Sequence, residues 1–259
     1  MNGAFGTDFS MANSINQSSI EDVSKRLLSQ GVTSFCPTLI SCEPLTYQKI
    51  LPIFAKYIIN QQQTKPSERK VTKAKVLGLH LEGPFFESSK RGAHPLSCIL
   101  DPIDGITTLE NTYGENYLYD SNEIQPGLFG LIRIITLAPE LPGALEAIRQ
   151  ITRTYDSKVD LAQSNNTISS KRLKRNSHQI IISCGHSNAT LKQGEDATQH
   201  GASLITHLFN AMRPFHRKIT PTNQNIFCVF LHIFLIWNFS TMEFNFFLLK
   251  IESLALWDY

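Results

Sequence analysis

The chain has 259 residues and a formal net charge of +2, with 42% hydrophobic and 18% charged residues. This composition is that of a folded globular protein and excludes a collagen-like or intrinsically disordered chain. A charge this close to zero argues against a general nucleic-acid-binding protein, because such proteins carry a strong basic excess. The five cysteines form no C-x-x-C pair, and Met1–Gly6 lacks the features of a signal peptide. We therefore expect reduced thiols in a cytoplasmic protein.

Short apolar runs alternate with amphipathic segments along most of the chain. In order, the pattern predicts a helix capped by Ser18 or Ser19 and ended by Gly31, a strand over 32–39, a helix over 45–59 and a strand over 74–81. After a long loop region, it predicts a strand over 131–137, a helix over 142–155, a strand over 180–184, a helix over 190–199 and a strand over 202–206. Apolar strands separated by helices indicate a parallel α/β fold. Because no G-x-G-x-x-G loop is present, we predict an incomplete (β/α)8 barrel of the TIM type, to which residues 1–9 could add the end of a sixth strand.

Two segments depart from this alternation. Residues 156–179 are polar and end in a basic cluster, which predicts a solvated surface insertion, with nuclear localisation or phosphate attraction as the alternative. Residues 219–259 contain no glycine and many phenylalanines. Their apolar run 226–237 is shorter than the roughly twenty residues of a membrane span, so we expect no membrane partner. We assign residues 1–218 to the partial barrel and interpret 219–259 as a tail foreign to the fold, with a buried hairpin or helix as the alternative.

Three side chains that can ligate a metal follow apolar strands: Glu82, His186 and His207. In a β/α barrel, residues at the C-terminal ends of the strands converge on the active site. Two imidazoles and one carboxylate form the ligand set of a catalytic zinc site. Hydrogen-bonded loop histidines are the alternative, and we interpret His80 as a supporting or structural residue.

Several segments closely resemble the N-acetylglucosamine-6-phosphate deacetylases of the amidohydrolase superfamily. The resemblance covers about residues 2–217, apart from the insertion. The segments are 1–10, 31–38, LGLHLEGPF at Leu77–Phe85, KRGAH at Lys90–His94, TLAPE at Thr136–Glu140, CGHS at Cys184–Ser187 and THLFNAM at Thr206–Met212.

The resemblance implies a TIM-type barrel beside a small β-sandwich domain, which is missing here. It implies hydrolysis of N-acetyl-D-glucosamine 6-phosphate to D-glucosamine 6-phosphate and acetate, in amino-sugar catabolism, by a homodimer. It also implies that Glu82, His186 and His207 bind a divalent metal, with zinc as the first expectation and iron, cobalt or manganese as alternatives.

The resemblance further assigns substrate contacts to Ala93, His94, Asn210 and Ala211, and a cation beside a neighbouring subunit's phosphate to Lys218. The family's Asp-Gly-x-His and Thr-Asp-Ala motifs are absent after Lys218. Since the second motif carries the catalytic aspartate, we assign no catalytic residue and expect a chain truncated at both ends that is inactive and poorly soluble alone. The alternatives are a non-catalytic isoform that binds metal or sugar phosphate or pairs with the full-length subunit, and another amidohydrolase such as a cyclic-amide hydrolase or a deaminase.

Overall fold

The computed structural model describes residues 1–63, 71–118, 131–152, 180–208 and 210–213. The predicted insertion at 156–179, the tail at 219–259 and Lys218 lie outside these residues. The strands are β1 (Gly3–Ala4), β2 (Thr7–Asp8), β3 (Ser34–Phe35), β4 (Thr38–Leu39), β5 (Lys75–Val76), β6 (Leu79–Glu82), β7 (Ile132–Leu137), β8 (Ile181–Cys184) and β9 (Leu204–Ile205). The helices are α1 (Gln17–Ser29), α2 (Pro44–Gln63), α3 (Ile106–Tyr113), α4 (Glu115–Leu118), α5 (144–152, as far as it is described) and α6 (Leu191–Gln199).

Five strands form one sheet in the order β4-β6-β7-β8-β9, and every pairing in it is parallel. Strands that follow one another along the chain and pair in parallel need crossover connections, which α5 and α6 help to supply. The predicted parallel α/β architecture is therefore confirmed. Residues 1–9 add no strand to this sheet and instead contain the antiparallel hairpin β1–β2, although the Thr38 amide donates to the Met1 carbonyl over 2.9 Å.

The structure differs from the sequence prediction at two predicted strands and in one predicted loop. The predicted strands 32–39 and 74–81 are each divided in two, so that β3 pairs with β5 and β4 with β6. Pro37 lacks an amide donor, and Gly78 adopts a φ of 133° that only glycine tolerates well, so neither segment continues its ladder. The prediction of a long loop after residue 81 is wrong over α3 and α4, which begin directly after Gly105 and Gly114.

Helix α1 begins two or three residues earlier than expected. Its N-cap is Asn16, whose side chain accepts hydrogen bonds from the Ser18 and Ser19 amides, while the Ser19 side chain caps the Asn16 amide in return. The prediction that Ser18 or Ser19 caps the helix is therefore wrong, because Asn16 offers the same acceptor at the correct spacing.

The central sheet has an apolar face and a polar face. In β6, Leu79 and Leu81 are fully buried in the hydrophobic core, whereas His80 and Glu82 contact polar side chains of neighbouring strands. This alternation follows from the two-residue period of a strand. The alternation places a row of polar groups on the polar face of the sheet, and this row extends to the C-terminal edge of the strands.

Within the described ranges, no helix is long and apolar enough to cross a lipid bilayer. The four cysteines in those ranges are free thiols. Burial raises the pKa of the Cys42 and Cys184 thiols to about 12. Neither thiol is therefore suited to act as a nucleophile.

Candidate metal centre

Glu82, His186 and His207 meet at the C-terminal edge of the sheet. Glu82 is the last residue of β6, and the two histidines lie just beyond β8 and β9. Their potential ligand atoms all lie within 4.8 Å of one another. The structure therefore brings together the three residues that the sequence pattern predicts as a ligand set.

The carboxylate of Glu82 lies between the two imidazoles. Its Oε1 is 2.7 Å from Nε2 of His207 and 3.3 Å from Nε2 of His186. The side chains of Glu82 and His186 are 4% and 5% exposed, whereas that of His207 is 38% exposed. The group is therefore buried on one side and accessible to solvent on the side of His207.

The ring of His186 is fixed by contacts on two sides. Its Nδ1 lies 2.9 Å from the carbonyl oxygen of Lys90, and Phe86 stacks on the ring with centroids 4.1 Å apart. Because a carbonyl oxygen only accepts hydrogen bonds, Nδ1 donates to it, and Nε2 is the ring atom that faces Glu82. Metal-binding histidines are oriented in this way in proteins.

The electrostatics of the site favour an ionised carboxylate. Burial acts to raise the pKa of Glu82, but hydrogen bonds from His186 and His207 outweigh it and hold this pKa well below its usual value. Burial lowers the pKa of both His80 and His94 to about 4, so both rings are neutral at pH 7. A buried carboxylate beside two imidazole Nε2 atoms is a donor set that suits a divalent cation.

Three residues around the site have backbone conformations that are unusual for residues other than glycine. The φ angles of His186, His207 and Ala211 are 53°, 54° and 47°. Such left-handed conformations persist only where surrounding contacts impose them, and they cluster at functional sites. Both predicted imidazole ligands therefore lie on turns that the neighbouring loops must hold.

His94, a predicted substrate contact, lies beside the ligand group. Its ring centroid is 4.8 Å from that of His186. Its Nδ1 accepts a hydrogen bond from the Ser41 amide over 3.1 Å and lies 2.8 Å from Ser41 Oγ. The proton of the neutral ring therefore resides on Nε2. Arg91 donates to the His94 carbonyl over 2.8 Å and steadies the loop that also carries the exposed Ala93.

The other predicted substrate contacts border the His207 turn. The Asn210 amide donates to the His207 carbonyl over 2.6 Å, and the Asn210 side chain accepts from the Ala211 amide. The Ser187 amide donates to the Ala211 carbonyl over 3.0 Å, which joins this turn to the His186 turn. Lys218 lies outside the described residues, so its assignment stays a prediction.

A hydroxyl network next to the ligand group was not predicted from the sequence. Nε2 of His80 lies 2.6 Å from Thr136 Oγ1, which is 2.8 Å from Thr206 Oγ1. Ser183 Oγ lies 2.7 Å from Thr206 Oγ1. His80 is not one of the three clustered ligands, which agrees with its interpretation as a supporting residue. The available signal was the inward strand phase of Thr136 and Ser183.

Comparison with known proteins gives one consistent set of relatives, although no family model matches the chain. The N-acetylglucosamine-6-phosphate deacetylases of Homo sapiens and Danio rerio are 38% and 36% identical over 219 residues, which is 84% of this chain. The Bacillus subtilis protein of the same name is 32% identical over 219 residues. The chain spans less than half of these relatives, namely 42% of the human protein and 43% of the other two.

Solved structures agree with these relatives. The chain superposes on the N-acetylglucosamine-6-phosphate deacetylase of Pasteurella multocida with a TM-score of 0.57 and 25% identity. The match covers 87% of this chain and 45% of that protein. The observed α/β fold is therefore shared with this structure.

Proposed function

Because the chain is related to the N-acetylglucosamine-6-phosphate deacetylases over 84% of its length, we propose that its three-ligand group is the divalent-metal centre of such an enzyme. The observation that carries the proposal is the buried Glu82 carboxylate, with imidazole Nε2 atoms at 2.7 and 3.3 Å from one oxygen. Its substrate is N-acetyl-D-glucosamine 6-phosphate. In support, a mutant of the Mycobacterium smegmatis enzyme of that name has been solved in complex with N-acetyl-D-glucosamine-6-phosphate.

The residues present fit a divalent ion. Glu82, His186 and His207 would hold it, and the exposed side at His207 leaves space for a further ligand, as in catalytic zinc sites. Zinc is the first expectation, and iron, cobalt and manganese suit the same donors. When bound, the ion supplies Lewis acidity that polarises a carbonyl group and activates water.

The neighbouring residues bind and orient the sugar. His94 is held at Nδ1 by Ser41, so it offers an Nε2–H donor to a substrate oxygen. The loop carrying Ala93 and the turn carrying Asn210 and Ala211 offer further polar groups. We include Lys218 as a cation for the phosphate of a neighbouring subunit, and with it the homodimer expected of the family.

At the level of fold, we propose that the five-stranded sheet is a partial (β/α)8 barrel of the TIM type and that the family's small β-sandwich domain is not among these 259 residues. Residues 1–218 form the barrel part, with an insertion at 156–179, and residues 219–259 do not belong to it. The support is the 45% coverage of the Pasteurella multocida structure at a TM-score of 0.57.

The 259-residue chain contains no Thr-Asp-Ala or Asp-Gly-x-His motif after Lys218. Loss of a general acid–base group costs on the order of 10²–10⁴-fold in rate. We therefore propose that this chain alone binds metal but turns over substrate very slowly. The same observation supports a second candidate function, in which the chain is a non-catalytic form that binds metal or sugar phosphate or pairs with a full-length subunit.

The test is to measure bound Zn²⁺ and acetate release for the purified chain and four variants. Glu82→Gln, His186→Asn and His207→Asn remove one ligand each. His200→Asn is the control, because His200 lies at the end of α6 and bonds to the Asp196 carbonyl rather than to the ligand group. We expect one equivalent of Zn²⁺ in the unsubstituted chain and in the control, and a large loss in the three ligand variants.

Three outcomes would overturn these proposals. Absence of Zn²⁺ binding, or equal binding by the ligand variants, would overturn the metal centre. Acetate release from N-acetyl-D-glucosamine 6-phosphate at the rate of a full-length deacetylase would overturn the proposed low activity. Co-purification of a tagged chain with a full-length subunit distinguishes the second candidate function, since the metal centre alone does not predict it.

A further inference from the structure

We propose that Glu140 is a positioning residue that fixes the His186 turn and thereby sets the metal affinity of the site. The inference rests on the proposed metal centre. Glu140 ends the TLAPE segment after β7, and neither the predicted ligand set nor the predicted substrate contacts include it. Its role would be exerted through the two residues that directly follow His186.

Both oxygens of the Glu140 carboxylate are engaged with this turn. Oε2 accepts a hydrogen bond from Ser187 Oγ over 2.6 Å, and Oε1 accepts one from the Asn188 amide. Ser187 Oγ in turn accepts from the Ala189 amide over 2.9 Å. A single carboxylate therefore constrains three consecutive residues immediately after the imidazole ligand.

The same turn connects the loops that follow three other strands. The Asn188 side chain donates to Ser89 Oγ over 2.8 Å, and the Asn188 carbonyl accepts from Arg213 Nε over 2.6 Å. The Glu87 amide donates to the His186 carbonyl over 3.0 Å. Glu140 adds the loop after β7 to this set, so the loops that follow β6, β7 and β9 all hold the turn after β8.

The turn needs this support because of its backbone. His186 has a φ of 53°, in the left-handed region that is strained for a residue other than glycine. Without its outer contacts, the turn would relax toward a commoner conformation, and His186 Nε2 would move away from Glu82. Supporting partners of metal ligands typically account for about 10–100-fold in metal affinity.

The chemistry of the carboxylate allows a substitution of nearly equal size. Glu140→Gln keeps one acceptor oxygen but places an NH₂ donor against either the Asn188 amide or the Ser187 hydroxyl. Ser187→Ala removes the hydroxyl partner and leaves the carboxylate in place. Because both variants act on one hydrogen-bonded unit, we expect their effects to be less than additive in the double variant.

The experiment measures Zn²⁺ affinity of the full 259-residue chain by competition with a chromophoric chelator, together with Tm. Thr152→Val is the matched control, because Thr152 Oγ1 bonds to the His200 carbonyl over 2.7 Å and so joins α5 to the end of α6. We expect Glu140→Gln to bind Zn²⁺ about 10–100-fold more weakly than the unsubstituted chain. We expect Thr152→Val to lower Tm while its Zn²⁺ affinity stays unchanged.

The outcomes separate the inference from the proposed function. Failure of the unsubstituted chain to bind Zn²⁺ overturns the metal centre and the inference with it. Tight binding by the unsubstituted chain and equally tight binding by Glu140→Gln overturns the inference alone. An equal loss of affinity in Thr152→Val also overturns it, because the effect would then follow general stability. If Glu140→Gln fails to fold, Ser187→Ala decides by the same criteria.

Discussion

Replacing Gly83 by alanine tests the close packing behind the ligand Glu82. The φ angle of Gly83 is +82°, and a Cβ there would overlap Ser41 Oγ and lie 2.7 Å from Phe86 Cε2. The left-handed backbone costs about 1–2 kcal/mol for a residue with a Cβ. Overpacking of a well-packed interior adds typically about 1–3 kcal/mol. We therefore expect Gly83→Ala to lower the free energy of unfolding by about 2–5 kcal/mol.

Gly31 supplies a control with almost the same φ angle. Its φ is +83°, but a Cβ there would meet nothing within 4 Å. Gly31→Ala therefore carries the cost of backbone strain alone, about 1–2 kcal/mol. Denaturant unfolding of both variants isolates the steric term at Gly83. Equal losses in the two variants would refute the argument that Ser41 and Phe86 close the space behind Glu82.

Three further predictions concern single interactions. Tyr113→Phe removes a 2.8 Å hydrogen bond to the buried Gly83 carbonyl and is expected to cost about 0.5–1.5 kcal/mol in denaturant unfolding; unchanged stability would contradict it. Burial acts to raise the pKa of Glu21, but hydrogen bonds led by that from Lys73 outweigh it and lower the pKa. A carboxyl group whose pKa is lower in the folded chain than in the unfolded chain stabilises the folded chain at a pH above its unfolded-state pKa. This stabilisation disappears as the pH falls through the folded-state pKa. Glu21→Gln should therefore show a shallower fall of Tm in acid than the unsubstituted chain, and parallel curves would count against the ion pair. Zn²⁺ at 100 times its Kd stabilises the folded chain by about 2.7 kcal/mol. A chelator should therefore lower the Tm of the metal-loaded chain and leave the Tm of Glu82→Gln unchanged. Equal Tm shifts in the two proteins would contradict specific binding.

Much of the central sheet could be predicted from the sequence because its strands are continuous apolar runs. The runs that became β7 and β8 are ordinary buried strands, and the helix after β8 carries its own capping signal at Thr190. The runs that divided into two short strands could not be predicted in full. The strands break at Pro37 and Gly78, but which neighbour each half pairs with is a property of the tertiary structure.

The candidate site was partly predictable for the same physical reason. Glu82, His186 and His207 each follow an apolar run, and parallel strands carry such residues to one edge. The role of Glu140 had no comparable signal. Its partners Ser187 and Asn188 lie 47 and 48 residues away along the chain, and the contact exists only because β7 and β8 are neighbours. The prediction of a long loop after residue 81 missed α3 and α4, which begin directly after Gly105 and Gly114.

The most direct test of the metal centre is X-ray absorption spectroscopy of the Zn²⁺-loaded chain. The proposed ligand set predicts two imidazole nitrogens at about 2.0–2.1 Å and carboxylate oxygen at about 2.0–2.2 Å, and a Zn²⁺ signal that is largely lost in His186→Asn. A sulfur ligand at about 2.3 Å, or an unchanged spectrum in that variant, would contradict the assignment of Glu82, His186 and His207 as the metal centre.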